Sequence, residues 1–336
     1  MTTMSAAFVA GPRPVSASAL SFGRSGRRSR LRPARPRFPT PTSAFAALID
    51  NALDARAGHV AVVVREDADG GVAALAVLDD GVGMVPEMIR AACAPGASCR
   101  LGDGPHFARD GQGLPAAPFA LGDRFTLWSR PARGSFCAVA VSQGLTGPVA
   151  PASPMELPVF LPPGPDGSAW RTVLIIEPRR DLGPASALRR RLRSDLGFLF
   201  SRLSRRVTLS VDSVPLRARR DFARLGPSAE LAGPYGLVTL SSIFSTSARP
   251  VATDGVQRWG LIGARLGRRL GPLGGNPLWR PLDADRRWRL DLDFSPDADA
   301  VLRPCAGGLE LDPAVWSWLG RQGLTTVMTR LRDAST

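Results

Sequence analysis

The sequence predicts an α+β fold with room for two domains, and three features carry that reading. Its 336 residues are 44% hydrophobic, enough for one large core or two ordinary ones. An amphipathic helical stretch beginning at Ser43 runs into two strand-like segments, His59–Glu66 and Ala73–Asp79, joined by the short acidic, glycine-rich turn Asp67–Gly71. Further on, Leu188, Leu192, Leu196, Leu199 and Leu203 recur at helical spacing inside a basic surround. That is the pattern of a helix laid on a sheet with its charge outward.

Residues 1–42 read as a disordered tail, because Arg, Pro, Ser and Ala without apolar periodicity cannot offset the entropy of ordering them. The lack of acids and the Arg and Ser content also fit an organelle transit peptide, while an Arg-only vocabulary equally fits a GC-rich genome. A first domain is expected over 43–160 and a second domain over 161–336. Ser43 reads as an N-cap, with Phe45, Leu48, Ile49, Ala52 and Leu53 following on one helix face. The opposite stripe holds Ala47, Asp50, Asn51 and Asp54, brought together by spacings of three and four. A solvated polar face is the default for such a stripe.

The second strand ends in Asp79-Asp80-Gly81-Val82-Gly83-Met84, a carboxylate fixed between a strand and a turn whose glycines allow close backbone approach. A helix is expected from about Pro86 to Ala94. Gly111-Gln112-Gly113-Leu114-Pro115 then opens a helix-compatible stretch to Leu121. Amides at the positive end of a helix dipole suit phosphate oxygens.

Composition excludes several chemistries. All 43 basic residues are Arg, against 29 acids, for a net charge of +14. Without Lys there is no lysine-dependent phosphate loop, Schiff base or lysine base, since a guanidinium does not replace the ammonium. The charge is uneven: residues 1–49 hold eight Arg and no acid, and residues 179–224 hold thirteen Arg against four acids. The pI therefore describes a tail and one patch. No apolar run is long enough to span a membrane, so none is expected. Four Cys without a CxxC pair read as thiols of a reducing compartment, and the cytoplasm is the expected location, with organelle targeting by the tail kept open. Cys93, Cys99 and His106 lack a fourth ligand and short spacing, which disfavours zinc. With two His in the chain and no nucleophile at motif spacing, a hydrolase triad is unsupported. A solvated basic face is the default for the 183–206 helix; the alternative is a surface for nucleic-acid phosphates.

The order of these parts, an acidic and amide-bearing helix, a strand ending in DDGVGM, a variable segment and GxGL, resembles the GHKL superfamily of ATP-binding domains. That group includes gyrase B subunits, mismatch-repair MutL, heat-shock chaperones of the ninety-kilodalton class and sensor histidine kinases. ALIDNALDA, Ala47–Ala55, looks like the gyrase and MutL form of the first motif. FARDGQGLPAA, Phe107–Ala117, is similar to the second glycine motif of bacterial chaperone-like ATP-binding proteins. SAWRTVLIIEP at 168–178, RVTLSVDSVPLR at 206–217 and RRWRLDLDFSP at 286–296 fall in the order in which such proteins place a second domain and C-terminal strand.

The resemblance implies a Bergerat-type α/β sandwich followed by a transducer-like domain, with ATP and Mg²⁺ as ligands. It implies Asn51 as the amide that binds Mg²⁺, Asp80 as acceptor from the adenine amino group, and Gly81 and Gly83 as backbone against which the base lies. Met84 would pack on the base, Gly111, Gly113 and Leu114 would wrap the phosphates, and Thr172 would reach adenine through water. Asp54 is expected to be structural. Three departures stand out. Ala47 occupies the position of the family's general-base Glu, and a methyl group cannot deprotonate water. Asp50, one residue from Asn51, points about 100° around the helix and is a poor substitute. Asp110 puts a carboxylate beside the phosphate loop. The family's phosphate-sensing lysine is absent, with Arg179 or Arg180 as candidate replacements. Two readings follow: a nucleotide-binding switch, with dimerisation and little or no turnover, or a degenerate scaffold acting on nucleic acid or protein through its Arg surfaces.

Overall fold

The computed structural model describes residues 38–94, 105–108, 113–142, 145–167, 170–217, 222–245, 255–305 and 308–335. Most of the 1–42 tail, Cys99, Asp110 and Gly111 lie outside the described residues. Helix α1, Pro41–Asp54, starts earlier than the sequence suggests. Thr40 is the N-cap and Ser43 is the third residue of the first turn: the Ser43 amide donates to Thr40 Oγ1 at 3.1 Å, and Ser43 Oγ accepts from the Thr40 amide at 3.2 Å. Pro41 at the first helical position needs no amide partner, so cap and box move back by three residues.

The first sheet contains β1 His59–Glu66, β2 Val72–Asp79, β3 Gly122–Ser129, β4 Phe136–Ser142, β5 Leu145–Thr146, β6 Ala150–Ala152, β7 Thr172–Pro178, β8 Thr208–Val211 and β9 Val214–Pro215. Its order is β5-β4-β3-β7-β2-β1-β8-β9, with β6 on β4. Only β1 and β8 run parallel. Central β1 is buried on both faces from Val60 to Val64, which is why its sequence is a continuous Val-rich run and does not alternate. Helices α1, α2 (Pro86–Cys93), α3 (Gly113–Leu121) and α4 (Ala185–Leu199) belong to this layer. One face of the sheet packs Leu75, Val77, Leu127 and Leu174 against Phe45 and Ile49 of α1 and the buried Leu188, Leu192 and Leu196 of α4. The other face is closed by Leu157, Phe160, Leu161 and Trp170 over Ala61, Ala76, Leu78 and Val173.

The second sheet contains β10 Phe222–Gly233, β11 Gly236–Ser245, β12 Gly260–Arg265, β13 Arg268–Gly274, β14 Trp288–Phe294, β15 Leu302–Cys305 and β16 Gly308–Leu311, ordered β10-β11-β14-β12-β13-β16-β15. Helices α5, Pro313–Arg321, and α6, Leu324–Asp333, complete a core around the buried Trp288 and Trp316. The boundary expected between 160 and 161 is corrected by this topology. Residues 172–215, with β7, α4 and the β8–β9 hairpin, complete the first sheet, and the change of sheet falls between Pro215 and Phe222. The 206–217 stretch, expected in the second domain, is an edge hairpin of the first.

Between the sheets lies a layer of buried charge. Arg258, Arg269 and Arg289 set their guanidinium carbons 5.6, 4.8 and 5.3 Å from the Phe198 ring centroid. Arg269 donates to both Asp291 carboxylate oxygens and to the Phe198 carbonyl at 2.9 Å. Asp195 of α4 accepts from Thr42 Oγ1 at 3.0 Å, the Val256 amide at 3.2 Å and Arg258 Nη2 at 3.2 Å, tying α1, α4 and the second unit together. Buried guanidinium is tolerated here because each group meets carboxylate, carbonyl or aromatic face.

Candidate functional site

A cavity of about 150 Å³ opens between α1, the strand ends of the first sheet, residues 106–108 and the Leu114–Pro115 turn of α3. Strand parity decides what reaches it. Side chains alternate between sheet faces, so Asp79 shares the α1 face with Leu75 and Val77, whereas Asp80 falls with Ala76 and Leu78. Asp79 lines the cavity and is 7% exposed. Its Oδ1 accepts from the Gly81 amide at 2.9 Å. The expectation for Asp80 is corrected: its carboxylate faces away and accepts from the Gly58 and His59 amides, both at 2.8 Å, with the His59 ring Nδ1 also at 2.8 Å.

Register assembles the rest. Asp79 and Thr172 are paired across β2 and β7, and Thr172 and Ser129 across β7 and β3, so three polar side chains stand abreast at one end of the sheet. Ser129, fully buried, accepts from the Met84 amide at 3.0 Å and lies 3.1 Å from Thr172 Oγ1. Sequence reasoning missed Ser129 because a serine closing a strand has no signature of its own. Met84, Gly83, Leu114 and Thr172 line the cavity. Gly81 and Gly83 are required by the protein itself. A Cβ on Gly81 would stand 2.7 Å from the Ala55 carbonyl oxygen, and one on Gly83, at φ +69°, would meet the Arg130 carbonyl oxygen.

From α1, Asn51 and Asp54 line the cavity. Asn51 Nδ2 is buried without a hydrogen-bond partner. A Cβ on Gly113 would lie 3.1 Å from that nitrogen, so the start of α3 must pass close to the amide. Ala47, one turn earlier, is half-buried. Asp54 accepts from the Phe107 and Ala108 amides at 2.7 and 2.8 Å, a structural role toward the segment over the cavity. Asp50 turns away to the second sheet, where Arg268 Nε lies 2.8 Å from its Oδ1. Neither atom makes an aligned hydrogen bond, so the contact is an ion pair. Arg179 and Arg180 do not serve the site: they follow the far end of β7, roughly 23 Å along the strand from Thr172, and Arg179 pairs with Asp181 at 3.3 Å. Cys93 sits in the core, its thiol pushed up to about 11 by burial, an inert side chain.

Burial pushes the Asp79 carboxyl up to about 7, against hydrogen bonds from Gly81 and Thr172, with the Asp80 charge adding to the rise. Burial likewise raises Asp50 to about 6, opposed by Arg268. Both groups bind protons more tightly folded than unfolded. The stability they confer is therefore full below the unfolded value near 4 and is lost as pH rises through 6 to 7. The ligand-free protein is expected to melt higher at pH 5 than at pH 8. Asp79→Asn should flatten that slope by a few kcal/mol, as differential scanning calorimetry would show; an unchanged slope would place Asp79 in contact with solvent.

Residues 39–143 match the family model described as histidine kinase-, DNA gyrase B-, and HSP90-like ATPase. The chain contains a GHKL-type ATPase domain. The GHKL match takes in α1, the Asp79–Met84 turn and α3, and stops before Thr172, which the same sheet supplies from β7. Across 120 residues the chain is 36% identical to the DNA mismatch repair protein MutL of Paramagnetospirillum magneticum, covering 34% of this chain and 19% of that protein. Among solved structures, the Aquifex aeolicus MutL ATPase domain complexed with ADP aligns with a TM-score of 0.43 and 14% identity, over 78% of this chain and 95% of that one. Among the described residues, no helix is long and apolar enough to cross a membrane.

Proposed function

We propose that the protein binds Mg²⁺ and ATP in this cavity and acts as a nucleotide-dependent conformational switch with slow hydrolysis or none. The observation that carries the reading is the convergence on one cavity of the buried Asp79 carboxylate and the unpartnered Asn51 amide. Burial penalises both groups unless a ligand answers them. Ionised Asp79 accepts from the adenine amino group and so favours adenine over guanine, with Thr172 alongside. Val77, Met84, Leu127 and Leu174 offer apolar surface to the base. The cavity has the size of a planar ring, so the phosphates would run outward past Asn51 to the start of α3.

Among the described residues, no group of three His, Cys, Asp or Glu side chains could hold a metal alone. Mg²⁺ then enters with the triphosphate, neutralising its charge, and Asn51 Oδ1 is the oxygen that would hold it from the protein side. Ala47 supplies no base, and Asp50 is turned to Arg268. Calorimetry with a non-hydrolysable ATP analogue and Mg²⁺ tests the reading. One site per chain is expected, and sedimentation of the same samples reads nucleotide-dependent dimerisation. A folded protein that gives no heat of binding would refute the nucleotide reading.

A second reading, nucleic-acid binding, is favoured by one observation. Arg190, Arg205, Arg206 and Arg217 are exposed and pair with no acid among the described residues. Four phosphate contacts imply a fall in log affinity with log salt of slope roughly −3 to −4 on duplex DNA, with little sequence preference. Fluorescence anisotropy between low and physiological salt measures that slope. Salt-insensitive binding would contradict the electrostatic account.

A further inference from the structure

We propose that Arg265, at the end of β12 in the second sheet, is a positioning residue for the cavity of the first, so that occupancy of the cavity and docking of the second sheet are linked. The inference rests on the nucleotide reading above and adds to it the route by which the second unit senses the ligand. Among the described residues, no second-sheet residue lines the cavity. Arg265 acts instead through residues 105–108, of which His106 and Ala108 do line it.

That short segment is gripped from two sides. From α1, the two oxygens of Asp54 take the Phe107 and Ala108 amides at 2.7 and 2.8 Å. From the second sheet, Arg265 Nη1 donates to the His106 carbonyl. The other arms of the same guanidinium, Nε and Nη2, are held by Asp299 at 2.5 and 2.6 Å. The Arg265 side chain is 5% exposed. A planar fork that answers a carbonyl on one edge and a carboxylate on the other is a geometry only Arg provides; an ammonium would have to choose. Three residues along the same hairpin, Arg268 meets Asp50, the neighbour of Asn51 in α1. The β12–β13 hairpin thus touches both the segment over the cavity and the helix beside it, while contributing nothing to the lining. Whatever a ligand does to the placement of His106 is transmitted to Arg265, and linkage requires that the second sheet return the same free energy to ligand binding.

The test uses the full chain, a non-hydrolysable ATP analogue with Mg²⁺, and hydrogen–deuterium exchange read at 105–108 and at 260–274. In the wild type the analogue is expected to slow exchange in both segments, although the hairpin is remote from the cavity. Arg265→Gln is expected to bind the analogue about tenfold more weakly and to lose the protection of 260–274. Arg265→Lys should not restore it. A purely structural role would lower the melting temperature and leave ligand-dependent protection of the hairpin in place, which would overturn the proposal. Should Arg265→Gln fail to fold, Asp299→Asn leaves the guanidinium present but poorly held. A several-fold loss of affinity is expected there, and unchanged affinity with unchanged protection would be equally fatal. Failure of the nucleotide reading is separately visible as no binding by the wild type. In that event the clamp is read without ligand: exchange at 105–108 should be faster in the variants, and equal rates would overturn it.

Discussion

Asp79→Asn is expected to weaken binding of an ATP analogue about a hundredfold, and Asp80→Asn to leave it within about threefold. The first substitution replaces one acceptor oxygen with a donor. Where the cavity carboxylate would receive the adenine amino group, two donors would face each other, and losing a charge-assisted hydrogen bond while stranding a buried donor is worth about 2 to 3 kcal/mol. The second substitution touches a carboxylate that holds the Gly58 and His59 amides on the far side of the strand end. It should lower the melting temperature and spare affinity. Isothermal titration of the two variants measures both. Equal losses would mean that the turn acts as a unit and that strand parity does not separate the two carboxylates. Loss confined to Asp80→Asn would restore the original assignment.

Ala47→Glu is expected to confer slow Mg²⁺-dependent ATP hydrolysis over an expected wild-type turnover near zero. Ala47 lies one helical turn before Asn51, half-buried, on the helix that borders the cavity. A carboxylate added there would reach toward a water beside the terminal phosphate, and a positioned base contributes on the order of 10² to 10⁴ in rate. The added Asn51→Ala change should abolish the gain, because it removes the amide oxygen proposed to hold the cation. Steady-state phosphate release is the measurement. Robust wild-type turnover that depends on Asn51 would show another base at work. No gain in a variant that still binds the analogue would shift preference to the scaffold reading.

Much of the site was legible one element at a time. The α1 stripe, the turn after β2 and the Gly113 helix start follow from local rules: helical spacing, glycine where backbone must approach backbone, and amides at a helix end. The choice between Asp79 and Asp80 is written in the strand as well. Leu75 and Val77 alternate with Ala76 and Leu78, and Asp79 continues the first pair onto the helix-covered face. Counting by twos from the core residues finds it; reading the motif as a string does not.

What the sequence by itself determined, then, is the set of local structures and the side chains they present: the paired acids after β2, the Asn51 amide, the methyl group at Ala47 one turn before it, and the Leu stripe of α4. The tertiary structure alone decided which of these meet. Ser129 gained a role because register sets β3 beside β7. The first sheet ran on past residue 160 because β7 pairs between β2 and β3 and β8 pairs with β1. Asp50 ceased to be a candidate base because Arg268, more than two hundred residues away, neutralises it. Arg265 and Asp299 reached the cavity through a single carbonyl. The physical reason is one of range. Backbone sterics, helix periodicity and strand alternation act within a few residues and are written in the local string. Burial and charge pairing depend on which distant surfaces close on one another, and a chain with 43 Arg offers many partners for every carboxylate until folding selects one.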